Sequence, residues 1–381
     1  MSSRGAAAVE RALADRDAAA FVHVGPPCDP DLRYLVDVPR LEAPCAYVQT
    51  ATGERLLCPG PGDAAVARER FDGTVRDAVS FDADAPGARA AALVAATCGE
   101  GATVLVAPDV PHASAVYLER DGHAVTSTDA LERGRALKGD SEVERLRRVQ
   151  RAATAGVARA ETLLAESTVG ADGLVHEGGT VTTTRLAREV DAALAEAGVA
   201  SAGNTLVAAG ADAAAPRLAD ERAVDAGETM LVDVAPCGPG GYYGRLARTF
   251  VVDTAGGWDR RAHLAVTRAR EAGLDEVGAG VETTVVHTET AAEVMAYGFD
   301  VGPDSPAGFS GPAGHGVGLS AREAPSFERA ETLTAGHVVA LAPEVSDPER
   351  GGVRVADLLV VTEDGYEPLA DYPTGITPAR R

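Results

Sequence analysis

Lysine is nearly missing from this sequence, since Lys138 is the only lysine among 35 basic residues and the others are arginines. Acidic residues number 57, and the formal net charge is -22. An acidic, lysine-poor surface stays hydrated when salt near 1 M screens charges beyond about 3 Å. The composition therefore predicts a halophilic cytoplasm, although a GC-rich genome that favours arginine codons explains the same ratio. It argues against nucleic-acid binding, which needs clustered cations.

Long apolar runs are also missing. No stretch approaches the roughly 20 uninterrupted apolar residues that a membrane span needs. Residues 1–17 are rich in alanine but interrupted by charged side chains, so they lack the apolar segment of a secretory signal. We expect a cytoplasmic protein without a membrane partner.

Cysteine is scarce, with five residues, an odd number, and no CxxC pair. A long chain with so few cysteines predicts neither a disulfide framework nor a zinc knuckle. The five positions are interpreted as small buried apolar residues, namely Cys28, Cys45, Cys58, Cys98 and Cys237.

What is present is an alternation of short apolar strands and alanine-rich helices. Residues 46–50 and 55–58 flank a turn and predict a hairpin. The first third is therefore predicted to be a small α/β domain, residues 1–135. Ser141 and Glu144 have capping-box spacing and predict the start of a long helix at the head of a second domain, residues 136–381. Residues 337–345 and 352–362 each predict one strand.

Four segments of the second domain, in this order and spacing, resemble the M24 superfamily of Xaa-Pro peptidases and creatinases: Ala202–Leu218, Leu231–Asp253, Gly311–Phe327 and Ala340–Gly365. The resemblance implies an α/β (α+β) pita-bread domain with a curved, mostly antiparallel sheet. It also implies that a smaller creatinase-type α/β domain precedes it. Homodimers are usual in that family, so a homodimer is expected here.

Active members hold two divalent metals with two aspartates, one histidine and two glutamates, a donor set that activates water and polarises a carbonyl. When the family's five ligand positions are carried over one by one, this sequence retains Asp233 and His315. The other three ligand positions are occupied by Arg245, Ala342 and Ala356.

Two further histidines, which position substrate in the family, are replaced by Arg217 and Arg322. The sharp interpretation is an anion pocket, because guanidinium groups match carboxylate or phosphate. The alternative is that each arginine pairs with a local acid in an arginine-rich chain.

The charge at the carried-over site predicts an ion pair between Asp233 and Arg245, which lie on paired strands. We therefore expect no bound metal pair and no cofactor; manganese, cobalt or zinc is the alternative if the site is functional. Glu344 lies two residues after Ala342 and so faces the same side of a strand, where it could replace the lost ligand, but an ordinary surface acid is the preferred interpretation.

Three functions remain open at this stage. One is a metal-independent hydrolase of a C–N bond, resembling creatinase, with His315, Glu344 and Glu323 as its only acid–base candidates. Another is a non-catalytic member, a pseudoenzyme, that binds a small anionic or peptide-like ligand. A third is an active Xaa-Pro dipeptidase or aminopeptidase, against which the lost ligands argue.

Overall fold

The computed structural model describes residues 4–38, 41–305 and 307–381. The chain divides into two compact units, Met1–Arg135 and Ala136–Arg381, and each is described by itself.

The first unit is a six-stranded mixed sheet with helices packed against it. The helices are α1 (Arg4–Asp15), α2 (Pro30–Val36), α3 (Ala64–Arg70), α4 (Pro86–Cys98), α5 (His112–Arg120) and α6 (Ala130–Ala136). The strands are β1 (Ala20–Gly25), β2 (Cys45–Thr50), β3 (Arg55–Cys58), β4 (Thr74–Val75), β5 (Thr103–Val106) and β6 (Ala124–Ser127).

The strand order of this sheet is β4-β3-β2-β1-β5-β6. β2 and β3 form the predicted hairpin, and β1 runs antiparallel to β2 but parallel to β5. Alternate side chains of β1, at Ala20, Val22 and Val24, pack in one apolar core with α4. Parallel pairing of β1 with β5 brings the carboxyl ends of these strands to one edge of the sheet.

The second unit contains four helices and fifteen strands among its described residues. The helices are α7 (Asp140–Glu166), α8 (Thr183–Glu196), α9 (Trp258–Asp275) and α10 (Thr283–Ala296). The first seven strands are β7 (Thr168–Gly170), β8 (Gly173–His176), β9 (Gly179–Thr180), β10 (Thr205–Ala209), β11 (Met230–Val234), β12 (Leu246–Phe250) and β13 (Asp300–Val301). The other eight are β14 (Gly308–Phe309), β15 (Gly314–Gly316), β16 (Glu323–Ser326), β17 (Val338–Leu341), β18 (Glu344–Asp347), β19 (Gly351–Arg354), β20 (Asp357–Thr362) and β21 (Gly365–Pro368).

The long helix α7 begins earlier than its sequence pattern suggests. The cap is Gly139, whose backbone N–H donates to the Glu142 carboxylate at 2.9 Å. The predicted pair of Ser141 and Glu144 is therefore wrong by two residues. Gly139 lacks a capping side chain, so it gives no sequence signal, yet the reciprocal bond from an acid at the third helical position is still made.

Two apolar cores divide the second unit. One lies between α7, α8 and the sheet β10-β11-β12. The other lies under α9 and α10 and includes residues of the sheets β13-β14-β18-β19 and β16-β15-β17-β20-β21. The family's pita-bread arrangement, with its strongly curved antiparallel strands, corresponds to this architecture.

Two strands predicted to be continuous are broken. β17 and β18 are separated by Ala342 and Pro343, and β19 and β20 are separated by Val355 and Ala356. Proline has no N–H for the ladder, and the chain passes from one sheet to another at each break. These breaks bring residues 342–344 and 354–356 beside β11 and β12.

Among the residues that the structure describes, none of the helices combines the length and apolar character needed to cross a membrane.

Candidate functional site

A cavity of about 490 Å³ opens in the second unit where these strand breaks meet β11 and β15. Its charged lining consists of four arginines and two carboxylates, namely Arg217, Arg245, Arg322, Arg354, Asp233 and Glu344. His315 and Ala342 also line it. The local charge is thus positive in a chain whose net charge is -22.

Asp233 lies in the middle of β11 and is fully buried, with 0% exposure. Arg245, which precedes β12, forms an ion pair with it, and its Nη2 donates to Oδ2 at 2.9 Å. Gln150 of α7 fixes the backbone of Arg245 from both sides, accepting from its N–H at 2.9 Å and donating to its carbonyl at 2.8 Å. The ion pair predicted from sequence is therefore present and is held by a buried amide.

A second guanidinium also contacts this aspartate. Arg354, at the end of β19, donates from Nη1 to Asp233 Oδ2 at 2.6 Å. Its Nε donates to Glu344 Oε2 at 2.6 Å, because β18 and β19 pair with Glu344 opposite Arg354. Two guanidinium groups and two carboxylates therefore form one neutral cluster, which we call the cavity cluster: Asp233, Arg245, Glu344 and Arg354.

The pKa directions follow from this arrangement. Burial alone raises the pKa of an aspartate, but Arg245 and Arg354 together hold the pKa of Asp233 below its usual value. Burial opposes the charge of Arg354, yet Glu344 and Asp233 raise its pKa. The charged forms of Asp233 and Arg354 are therefore favoured, and the cluster pairs two carboxylates with two guanidinium groups.

His315 of β15 lies in the cavity wall with 7% exposure. Its Nδ1 donates to the carbonyl of Gly316 at 3.0 Å, which leaves Nε2 as an acceptor. Burial, with the positive charges of Arg245 and Arg322, lowers the pKa of His315 to about 4, so the imidazole is neutral at pH 7. A side chain on Gly316 would approach the Ala324 carbonyl to 2.1 Å, which explains the glycine there.

The two alanines of the carried-over set give no donor atoms. Ala342 lies in the cavity wall. Ala356 is fully buried and packs in a small apolar cluster with Ala208, Leu231 and Ala247. A divalent pair needs several free carboxylate oxygens, and among the described lining residues both carboxylates already contact guanidinium groups. The donor set present here does not fit a dinuclear centre.

Arg217 and Arg322 are the cations at the exposed side of the cavity. Arg217 is exposed and contacts no carboxylate among the described residues. Arg322 is paired only loosely, with 3.8 Å between its Nη1 and Glu328 Oε1 and 61% of its side chain exposed. Local acids therefore do not neutralise these two arginines tightly.

Glu323 does not belong to the cavity, although the sequence offered it as an acid–base candidate. Its Oε1 lies 2.6 Å from Nζ of Lys138, and the two side chains are 3% and 1% exposed. The strand β16 turns Glu323 away from its neighbour Arg322, because successive residues of a strand face opposite sides. The single lysine of the chain serves this buried ion pair.

Arg354 is the residue that sequence reasoning missed. It lies two residues before Ala356, a spacing that places both side chains on one face of a strand. Glu344 is the compensating acid that the spacing after Ala342 indicated. Asp357, by contrast, faces away and is buried against Arg248, at 2.7 Å, and Arg270.

Comparison with known sequences gives consistent matches. The profile of metallopeptidase family M24 matches residues 144–363, more than half of the chain. The probable dipeptidase PepE of Mycobacterium tuberculosis is 26% identical over 254 residues, which are 65% of this chain and 62% of that protein. The Xaa-Pro dipeptidase of Pyrococcus furiosus is 25% identical over 169 residues, 44% of this chain and 47% of that protein. The chain thus matches less than two thirds of either relative's length.

Solved structures match over nearly the whole chain. The dipeptidase PepE from Mycobacterium ulcerans superposes with a TM-score of 0.80 at 26% identity, covering 98% of this chain and 96% of that one. An Xaa-Pro dipeptidase from Bacillus anthracis gives a TM-score of 0.84 at 18% identity and covers 99% of both chains. The fold of the chain is that of these peptidases.

Proposed function

The chain belongs to metallopeptidase family M24, and from that premise we propose that it is a member without a working two-metal centre whose cavity binds a small anionic, peptide-like ligand. The observation that carries the proposal is the cavity cluster. Both oxygens of Asp233 face guanidinium nitrogens, of Arg245 and Arg354, so the carboxylate that best matches a metal ligand is already neutralised.

The unfavourable free energy of placing a metal ion in the cavity supports this proposal. A divalent ion beside Asp233 would be repelled by Arg245 and Arg354. It would also take from these two arginines the carboxylate that neutralises them. Desolvated guanidinium groups without partners are unfavourable by several kcal/mol per charge in order of magnitude. His315 and Glu344 supply too few donor atoms to a metal ion to offset this unfavourable free energy.

The remaining cations of the cavity indicate the class of ligand. Arg217 and Arg322 present guanidinium groups that bind carboxylate or phosphate in a bidentate manner. Apolar side chains line the same cavity, namely Leu206, Pro216, Leu218 and Pro312. A carboxylate attached to a compact apolar body, as in a short peptide, matches both properties.

A neutral His315 limits the chemistry. With its pKa lowered to about 4, the imidazole accepts a proton weakly and is a poor general base at pH 7. It is well suited to accept a hydrogen bond from a ligand amine or amide. Metal-independent hydrolysis of a C–N bond is therefore less well supported than binding.

Thermal unfolding with chosen ligands tests the proposal. We expect an Xaa-Pro dipeptide to raise the melting temperature of the wild type at constant ionic strength, and its C-terminal amide to have no effect. A ligand at 100 times its dissociation constant stabilises the native state by about 2.7 kcal/mol.

The paired variant Arg217→Gln/Arg322→Gln should lose the response, while Arg188→Gln, an exposed arginine of α8, should keep it. Equal stabilisation by the peptide and its amide, or an unaltered response in the paired variant, contradicts carboxylate recognition. Inorganic phosphate in a parallel series distinguishes a general anion site from a peptide site.

An active Xaa-Pro dipeptidase is the second candidate, because the matched relative from Pyrococcus furiosus carries that description. Hydrolysis of Xaa-Pro dipeptides with manganese or cobalt in molar salt decides it, with Asp233→Ala as the control. Metal-dependent turnover that Asp233→Ala abolishes would overturn the first proposal.

A homodimer in a halophilic cytoplasm stays a prediction, drawn from the family and from the acidic composition. Light scattering across a salt series tests it. A dimer that becomes more stable as salt rises is expected, and a salt-indifferent monomer contradicts both parts.

A further inference from the structure

A second cluster of buried polar groups lies in the first unit, which the cavity does not involve. One ring nitrogen of His23 and one carboxylate oxygen from each of Asp31 and Asp109 lie within 4.8 Å of one another. His23 lies within β1, and Asp109 follows β5, its parallel neighbour, with Val22 opposite Val106. Asp31 lies in the first turn of α2.

The orientation of His23 is fixed by Asp29. The distance from Nε2 of His23 to Oδ1 of Asp29 is 2.9 Å, and a carboxylate only accepts, so Nε2 carries the proton of the neutral ring. Nδ1 is then left with a free electron pair. It has no hydrogen-bond partner among the described residues. It is also buried, because the His23 side chain is 0% exposed.

This arrangement is the one found around metal-binding imidazoles, where the nitrogen opposite the ligating one donates to a carboxylate. A buried acceptor without a partner is unfavourable by about 1–3 kcal/mol. The described residues therefore offer Nδ1 neither a hydrogen-bond donor nor a cation.

The charges around His23 point to the same missing group. Asp29, Asp31 and Asp109 are three carboxylates, and the cation that contacts them is Arg135, whose Nε lies 2.8 Å from Asp31 Oδ1. When the imidazole is neutral, as a ligating imidazole must be, two negative charges remain unmatched.

We propose that His23 Nδ1, Asp31 and Asp109 bind one divalent transition-metal ion of the zinc class, with Asp29 as the positioning residue. One imidazole nitrogen with two carboxylate oxygens suits zinc better than magnesium or calcium, which prefer oxygen donors alone. A +2 ion balances the charge of the cluster. Asp109 is exposed, so the site has a route for the ion, and water completes a tetrahedron.

The proposal gives the ion a structural role. It joins β1 and the start of α2 to the loop after β5, which lies far along the chain from both. An ion that binds the native unit and not the unfolded chain stabilises it by mass action. None of its ligands belongs to the second unit, so the site is independent of the family's dinuclear centre.

Equilibrium dialysis of the full-length, chelator-treated chain against zinc at pH 8 tests the proposal. We expect one zinc ion per chain for the wild type and at least about a tenfold weaker association for Asp109→Asn, since one of three ligands is lost. Asp109 is exposed, so that variant keeps its fold. Asp121→Asn is the matched control, because Asp121 is exposed and follows the opposite end of the nine-residue helix α5.

Cobalt as a spectroscopic probe should give the visible absorption of a tetrahedral site in the wild type and in Asp121→Asn, and lose it in Asp109→Asn. His315→Gln, in the second unit, should bind zinc as the wild type does. Absence of zinc from the wild type, equal affinity in Asp109→Asn, or loss of the ion in His315→Gln each overturns the proposal.

Discussion

The cavity cluster and the His23 cluster both bury carboxylates, but they match the charge differently. In the cavity cluster, Asp233 and Glu344 are opposed by Arg245 and Arg354, and these four residues carry no net charge. Around His23, the three carboxylates of Asp29, Asp31 and Asp109 are opposed, among the described residues, by Arg135 and by His23 when its ring is protonated.

The comparison shows at which of the two clusters an added cation is favourable. A buried charge is tolerated when it is paired and hydrogen-bonded. Asp233 is paired with two arginines and is hydrogen-bonded through Oδ2, so an added ion would displace a partner. His23 and its acids do not satisfy this rule, so an added ion would supply a partner. Family resemblance alone places the metal in the cavity, and the charges favour the other unit.

The largest effect is expected when the cavity cluster is opened. Asp233→Asn leaves Arg245 and Arg354 without their shared buried partner, and we expect a loss of about 3–5 kcal/mol in the free energy of unfolding. Fluorescence of Trp258, the single tryptophan, reports the second unit during denaturant unfolding. Asp172→Asn, an exposed acid, should change it by less than about 0.5 kcal/mol; an equally small loss for Asp233→Asn would mean that the pairing contributes little.

The pH dependence of the first unit should have the opposite sign from that of Asp233. The pKa of Asp31 is raised to about 6, so the native state holds a proton that the unfolded chain releases at lower pH. Stability is therefore highest below the unfolded value near 4 and falls as pH rises through 6, by about 2–3 kcal/mol in all. Asp233, with its lowered pKa, instead contributes stability above the usual carboxyl range that is lost on acidification.

Asp31→Asn should reduce the fall in stability between pH 5 and 8 when a chelator is present, and the part that remains comes from the raised pKa of His23. Pulse labelling of the buried thiols Cys45 and Cys58, always at one labelling pH, reports unfolding of the first unit. The groups facing Asp31 are His23, Asp29, Asp109 and Arg135. An unchanged slope in Asp31→Asn would assign the dependence to them.

A smaller effect is expected at the edge of the cavity cluster. Glu344 is partly exposed, with 25% of its side chain accessible, so water replaces part of its contact with Arg354. Glu344→Gln should lower the free energy of unfolding by about 1–2 kcal/mol. A loss as large as that of Asp233→Asn would show that the two carboxylates act as one unit.

The smallest effect is expected at the cavity opening. Arg217 is exposed and unpaired among the described residues, so Arg217→Gln should change stability by less than about 0.5 kcal/mol while weakening anion binding. Melting curves with and without the dipeptide measure both quantities. A large loss without ligand would assign Arg217 a structural role instead.

Local pattern predicted much of the architecture. Pro86–Cys98 is a helix and the strands at Cys45–Thr50 and Arg55–Cys58 form a hairpin, because their proline, turn residues and apolar spacing are local signals. The breaks after β17 and β19 were missed, since a proline within an apolar run does not reveal which sheet follows.

The site was less accessible to sequence reasoning. Asp233 and Arg245 were paired correctly because adjacent strands bring them together. Arg354 was missed because its contact with Asp233 spans 121 residues, and Glu323 was misplaced because Lys138 lies 185 residues away. The His23 cluster gave no motif, since its acids come from separate segments that only the sheet assembles.

Anomalous diffraction from crystals grown with manganese tests the central claim most directly. The claim is that guanidinium groups occupy the coordination space of Asp233. We predict no anomalous peak within about 2.5 Å of the Asp233 carboxylate, and electron density for Arg245 and Arg354 in contact with it. A pair of manganese peaks there, with both arginines turned away, would contradict the account.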